Sequence, residues 1–142
     1  MENRYLFRGK RIDNGEWVVG NLIVDKQKDI ETGKPIEIIG IYPSEYKDFS
    51  KRTDPSTICQ CTGLKDKNGK LIFENDIVKG KYFYGGKSYR HIGQVEYVCQ
   101  SYKVVGVNQY SGYHSELDGL YEVIGNVFDN PELLKGVSYD GE

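Results

Sequence analysis

Residues 62–80, TGLKDKNGKLIFENDIVKG, form the densest run of turn signals in the chain and pass at once into an apolar alternation. Asn68-Gly69 inside this run, Asn14-Gly15 before it and Gly85-Gly86 after it each lie between short segments rich in aromatic and β-branched residues. Asn-Gly supplies the positive φ that a tight hairpin turn needs. A chain punctuated this way is built of short antiparallel strands. Composition agrees: 17 Gly and an aromatic share of 13%, with twelve Tyr, five Phe and one Trp, favour strands joined by tight turns over long helices.

The first unit, RYLFRGKRIDNGEWVVGNLIV, predicts strands at about 4–12 and 16–24, with Gly20 marking either a bulge or a close backbone approach. IEIIGIY, residues 36–42, is a third strand ended by Pro43. Residues 44–57 lack periodicity and read as a connection with one helical turn after Ser44 as N-cap, the best boundary in the chain. The strand that bears Cys59 and Cys61 is expected to end at Thr62-Gly63. Asn75-Asp76 then turns the chain into strands at 77–84, 91–98, 101–107 and 120–128, joined by Gly85-Gly86, Cys99-Gln100 and a long loop at 108–119. Short strands at near-regular spacing suggest a small barrel or sandwich. Asn130-Pro131-Glu132-Leu133-Leu134 starts a short helix with Asn130 as N-cap, stopped by Gly136.

Charge and cysteine usage narrow the function classes. A formal net charge of −2 and a pI near 5.8 argue against nucleic-acid binding through bulk charge, though a local basic face stays open. No stretch of about 18 apolar residues is present to span a bilayer. The chain reads as cytoplasmic, with no membrane partner. Three Cys, an odd number, do not suit a secreted disulfide framework.

Candidate chemistry is sparse. A calcium loop centred on Gly69 would place Leu64 first and Asn75 twelfth, where carboxylates are required, so Asn68-Gly69 is a hairpin turn. Cys59, Cys61 and Cys99 with His91 or His114 supply enough nitrogen and sulfur for zinc, but not in the usual C-x₂₋₄-C spacing; buried cysteines on a strand's inward face explain Cys59 and Cys61 as well. No G-x-S-x-G, C-x-x-C, P-loop or dinucleotide fingerprint occurs. Glu74, Asp76, Glu96, Glu116, Asp118 and Glu122 read as solvated strand and loop positions. No catalytic residue, metal ligand or cofactor is therefore assigned.

Two surfaces remain. Lys79, Lys81, Tyr82, Tyr84, Lys87, Tyr89 and Arg90 cluster around Gly85-Gly86, a mixture of cations and rings that clamps phosphates and stacks bases on small barrels. A Tyr-rich hairpin with inward rings and wet cations accounts for the same pattern. Arg4, Arg8, Lys10 and Arg11 on the first hairpin read as a solvated edge guarded by charge.

The order FRGKRIDNGEWVVGNL, CTGLKDKNGKLIFENDIV, YEVIGNVFDNPELL resembles the YopX family of small phage and prophage proteins over nearly the whole chain. The resemblance implies an all-β fold whose C-terminal part is an SH3-like barrel, self-association into a homo-oligomer, and a phage or prophage origin with life in the host cytoplasm. It brings no catalytic residues. The family usually has Glu-Gly-Asp where Glu74-Asn75-Asp76 stands, and Asn, tolerant of a left-handed backbone, should preserve that turn. It also tends to place an aromatic where Cys61 stands, which favours packing for that thiol.

The resulting expectation is an N-terminal β-hairpin module, residues 1–57, packed on a small SH3-like β-barrel, 58–142, with a short C-terminal helical turn. Such a chain is expected to be a non-enzymatic phage or prophage accessory protein acting through self-association or an unknown phage or host protein partner. The alternative is a nucleic-acid-binding small barrel using the Lys/Arg/Tyr-rich hairpin.

Overall fold

The computed structural model describes residues 5–42 and 53–134. Ten strands carry the fold, and the helical content is confined to short 3₁₀ turns among the described residues. Among the described residues no helix is long and apolar enough to cross a membrane. The chain divides into two compact units, Met1–Cys61 and Thr62–Glu142.

In the first unit β1 (Phe7–Lys10) pairs antiparallel with β2 (Trp17–Lys28), and β2 pairs with β3 (Pro35–Tyr42). β2 changes partner at Gly20: residues 17–20 face β1 and residues 21–28 face β3, with no break in register. On its other side β1 meets the start of β4 (Cys59–Lys65), where Arg8 lies opposite Cys59. Buried Thr53 takes the Ile41 amide on its hydroxyl, and Thr57 Oγ1 accepts from Lys10 N at 2.8 Å. Asp54 caps the 3₁₀ turn Pro55–Thr57 by accepting from Ser56 N. Ser44 and the helical turn expected after it lie outside the described residues.

Arg8 departs from the expected solvated edge. It is buried, with its guanidinium 4.7 Å from the centroid of Trp17, a cation–π contact with the strand opposite. Arg11 is engaged too, through a two-point hydrogen bond to Asp13. Arg4 lies outside the described residues.

In the second unit β4 runs on past Thr62-Gly63, where it was expected to stop, because Thr62 Oγ1 donates to Ile72 O and β5 (Leu71–Phe73) lies beside it. A second antiparallel sheet follows, in the order β10 (Glu122–Asn126), β6 (Asp76–Tyr84), β7 (Lys87–Val98), β8 (Ser101–Gly106), β9 (His114–Glu116). β9 sits inside the segment expected to be loop. This sheet is open, with β10 and β9 at its edges, and not a closed barrel among the described residues. Its core gathers Ile72, Val78, Val95, Val104, Leu117 and Tyr121, with Tyr102 and Val123 packed against them.

Turn chemistry explains the registers. At both Asn-Gly sites the positive φ is carried by the glycine alone, Gly15 at φ 73° and Gly69 at φ 84°. Asp66 organises the second: Oδ1 accepts from Asn68 N and Lys70 N at 2.8 and 2.9 Å, and Oδ2 accepts from Val123 N at 3.0 Å. Burial alone would raise the Asp66 pKa. The backbone donors of Val123, Lys70 and Asn68, helped by the Lys70 charge, outweigh it and hold the carboxyl below its usual value. Asn75 is left-handed at φ 71°, as its tolerance predicts, and its side chain adds a bond a glycine could not make, accepting from Gln94 Nε2 at 2.9 Å. Asp76 is buried, not solvated, and accepts from Phe73 N.

Gly85-Gly86 and Cys99-Gln100 each close a two-residue hairpin with both residues at positive φ. The second pair does so without glycine, at φ 52° and 69°. At the C-terminal end, Pro131–Leu133 is a single 3₁₀ turn. Asn130 does not cap it with its side chain; Oδ1 instead reaches back to Asn126 N, and Gly136 lies outside the described residues.

Two substitutions test these turns. Replacing Cys99-Gln100 by Asn-Gly is expected to stabilise the protein by about 1–2 kcal/mol, measured by urea unfolding, because glycine at position 100 escapes a left-handed penalty of roughly that size and asparagine tolerates position 99. Asp66→Ala strips three backbone donors of their acceptor and should cost about 2–4 kcal/mol at neutral pH. Because the folded Asp66 pKa is depressed, its contribution is complete above the ordinary 3.8 and lost as pH falls through the lower folded value. The gap between the parent and the alanine variant should therefore narrow in acid.

Candidate functional site

The β6–β7 hairpin carries all seven residues singled out around Gly85-Gly86, and the β period of two divides them. The register pairs Tyr82 with Tyr89, Lys81 with Arg90, Gly80 with His91 and Lys79 with Ile92. Alternate residues point to opposite faces, so Tyr82, Tyr84, Lys87 and Tyr89 share one face, while Lys79, Lys81 and Arg90 share the other with Phe83. Three of the four cations are thereby separated from the tyrosines, Lys87 staying with the rings.

On the tyrosine face, Tyr82 stacks between two rings. Its centroid is 5.3 Å from Tyr89 at an interplanar angle of 23°, and 5.0 Å from Tyr113 at 24°. His91 meets Tyr82 edge-on at 5.3 Å. The ring row holds the hairpin stem against the loop before β9. Burial first, then the neighbouring Tyr113 and Tyr89, pushes the Tyr82 phenol above its usual value.

Below the rings lies a buried polar network. His91 Nε2 is 2.9 Å from the Tyr113 carbonyl, which can only accept, so Nε2 carries the proton and Nδ1 is the acceptor. Tyr121 OH at 2.9 Å and Ser115 Oγ at 3.3 Å both lie within hydrogen-bond reach of Nδ1, and the two hydroxyls are 2.6 Å apart. Tyr121 fits because Gly80 lies beneath its ring: a Cβ there would come within 2.4 Å of Tyr121 Cδ1. Burial lowers the His91 pKa, the Tyr113 carbonyl pulls the other way, and the nearby His114 adds to the lowering. Ser115, Tyr121 and His91 thus form a chain of donors and acceptors whose imidazole is fully buried with both nitrogens committed. This chain holds strands together, and it leaves His91 no nitrogen for a metal.

Cys59 and Cys61 are buried in β4, where packing accounts for them, and Cys59 Sγ donates to Thr57 O at 3.3 Å. Cys99 is exposed in its hairpin turn. No group of three or more His, Cys, Asp or Glu side chains stands together as a metal site among the described residues.

On the opposite face Lys79, Lys81, Phe83 and Arg90 line a groove of about 500 Å³, completed by Lys67, Asp118, Leu120 and Glu122. Phe83 is 71% exposed and Leu120 74%. Glu122 is engaged with Lys67 at 3.6 Å, and Asp118 with its own loop through Leu120 N. Sequence reading missed Lys67, Leu120, Tyr113 and Tyr121 here, since each reaches the hairpin from a distant segment and no spacing rule announces it.

The buried imidazole makes a pH test possible. The folded His91 pKa lies below the ordinary 6.5, so the unfolded chain binds the proton first. Stability from the neutral ring is complete above 6.5 and declines as pH falls below it. His91→Gln should lower stability at pH 7.5 by about 2–4 kcal/mol and flatten the decline between pH 6.5 and 5, followed by urea midpoint.

The profile of the YopX family, described as YopX protein, matches residues 6–135. Among solved structures the chain is similar to protein EF1440 from Enterococcus faecalis, with 26% sequence identity over 91% of this chain and 96% of that one, at a TM-score of 0.45. No curated protein matches. With the profile spanning both units and including the hairpin, the chain belongs to the YopX family.

Proposed function

We propose that this YopX-family chain is a non-enzymatic phage or prophage accessory protein that acts in the bacterial cytoplasm through self-association. The observation that carries this reading is the β2–β3 ribbon. Its eight consecutive pairs run from Asn21↔Tyr42 to Lys28↔Pro35, and β3 has β2 as its only strand neighbour among the described residues. Val24 and Ile36 lie on opposite faces of the ribbon and are 50% and 40% exposed; Ile30 at its tip is 99% exposed.

The ribbon's distal part, residues 24–28 with 35–37, is exposed at each described side chain, and a two-stranded ribbon of that kind is marginally stable by itself in water. An open edge carrying β-branched residues is a template for another strand. A second copy of the same ribbon satisfies both needs: edge pairing fills the backbone groups, and the ribbon it extends gains neighbours for Val24 on one face and Ile36 on the other. A phage or host protein offering a β-strand would use the same edge. The SH3-like barrel implied by family membership belongs with this proposal, supported by the β6–β7–β8–β9 meander whose last partner strand, β10, returns beside β6.

Size-exclusion chromatography with light scattering at high micromolar concentration should give a dimer or larger species. Val24→Lys with Ile36→Lys should shift it to monomer without changing the far-UV spectrum of the folded chain. A parent protein that stays monomeric throughout that range sinks the reading.

A further inference from the structure

We propose that the groove on the cation face of the β6–β7 hairpin binds single-stranded nucleic acid, with Lys79, Lys81 and Arg90 on phosphates and Phe83 stacked on a base. This site lies in the second unit and does not depend on the self-association argued above.

Lys81 and Arg90 carry the first observation, since the register sets them directly opposite on one face. Like charges in that position repel. Arg90 is fixed there by Nε donating to Tyr110 OH at 2.8 Å, which leaves both Nη groups for an anion. Lys79 and Lys81 form no ion pair among the described residues. A chain of net charge −2 thus holds four cations against two carboxylates in one groove, and one of those carboxylates is engaged with Lys67. Such a concentration against the overall charge draws in a polyanion.

Phe83 decides which polyanion. Lys79, Lys81 and Phe83 follow one another at every second residue, a step of roughly 6.7 Å along the strand. The ring is 71% exposed and continues the row of ammonium groups, with exposed Leu120 also lining the groove. An acidic peptide would use the cations and leave the ring in water. A nucleotide strand uses both, because its phosphates meet the cations while an unpaired base covers the ring, and every base has a face to stack.

Fluorescence anisotropy with labelled dT20 and rU20 tests the assignment on the full chain at 50 mM salt. Binding by either strand is expected, the two arms telling DNA from RNA, with the logarithm of affinity falling against the logarithm of salt at a slope of about −2 for three phosphate contacts. Lys79→Ala with Lys81→Ala and Arg90→Ala should weaken binding at least about tenfold and flatten the slope. Phe83→Ala should weaken it about tenfold with the slope unchanged. Lys87→Ala with Tyr84→Ala, on the opposite face, should leave affinity within about twofold, and each variant's melting curve reports its folding. No binding by either strand at 100 µM protein overturns the proposal. So does equal competition by heparin with no loss on Phe83→Ala, which would make the groove a general anion site, and so does a larger loss from the Lys87 and Tyr84 variant than from the groove variants.

Discussion

The turn at residues 66–69 holds the second unit together through a few backbone bonds. Lys67 N donates to the Tyr121 carbonyl at 3.0 Å, and the Asp66 carboxylate takes the Val123 amide while closing its own turn. Two adjacent residues therefore clamp the strand that leads into β10. With that strand fixed, Tyr121 lays its ring on Gly80 and its hydroxyl on His91. Gly80 and His91 are cross-strand partners in the β6–β7 hairpin. The exposed faces of the hairpin are thus oriented by a turn more than fifty residues from the strand it clamps. A stretch with the look of a ligand loop turns out to spend its carboxylate on backbone amides.

Much of this was legible because strands and turns are local. Gly85-Gly86 sets Tyr84 opposite Lys87, and from that pair the whole hairpin register follows by counting. The same counting separates Lys79, Lys81 and Arg90 from the tyrosines and leaves Lys87 with them, a division the seven residues already contained. The two-residue gap at Cys99-Gln100 was readable from the strands beside it, while its positive φ values were not, since neither residue favours them. There the pairing of β7 with β8 overrides local preference.

What the sequence hid depends on contacts distant along the chain. Arg8 looks like any edge cation until β2 places Trp17 over it. His91 offered itself as a metal ligand because its partners, Tyr113 and Tyr121, lie 22 and 30 residues further on. Burial of a polar side chain is a property of its surroundings, and no period or spacing encodes it. β9 is hidden for a similar reason: three residues, His114–Glu116, are too few to show alternation, and they become a strand by pairing with β8 and by the ion pair of Glu116 with Lys103.

The two surfaces left over by the folded chain differ in the physics they offer. The β2–β3 ribbon presents backbone groups and β-branched side chains, whose association draws on apolar burial and edge hydrogen bonds. Added salt barely weakens such contacts, and strongly hydrated anions strengthen them. The hairpin groove presents Lys79, Lys81 and Arg90, without ion-pair partners among the described residues, beside an exposed ring, and a polyanion held there would be released steeply as ions screen it and counterion release loses its drive. Salt would therefore act on the two unequally, and strongly hydrated anions in opposite senses. Because the ribbon belongs to Met1–Cys61 and the groove to Thr62–Glu142, neither surface shares a residue with the other. A chain using both would trade one for the other as ionic strength changes, assembling through the ribbon where the groove is weakest.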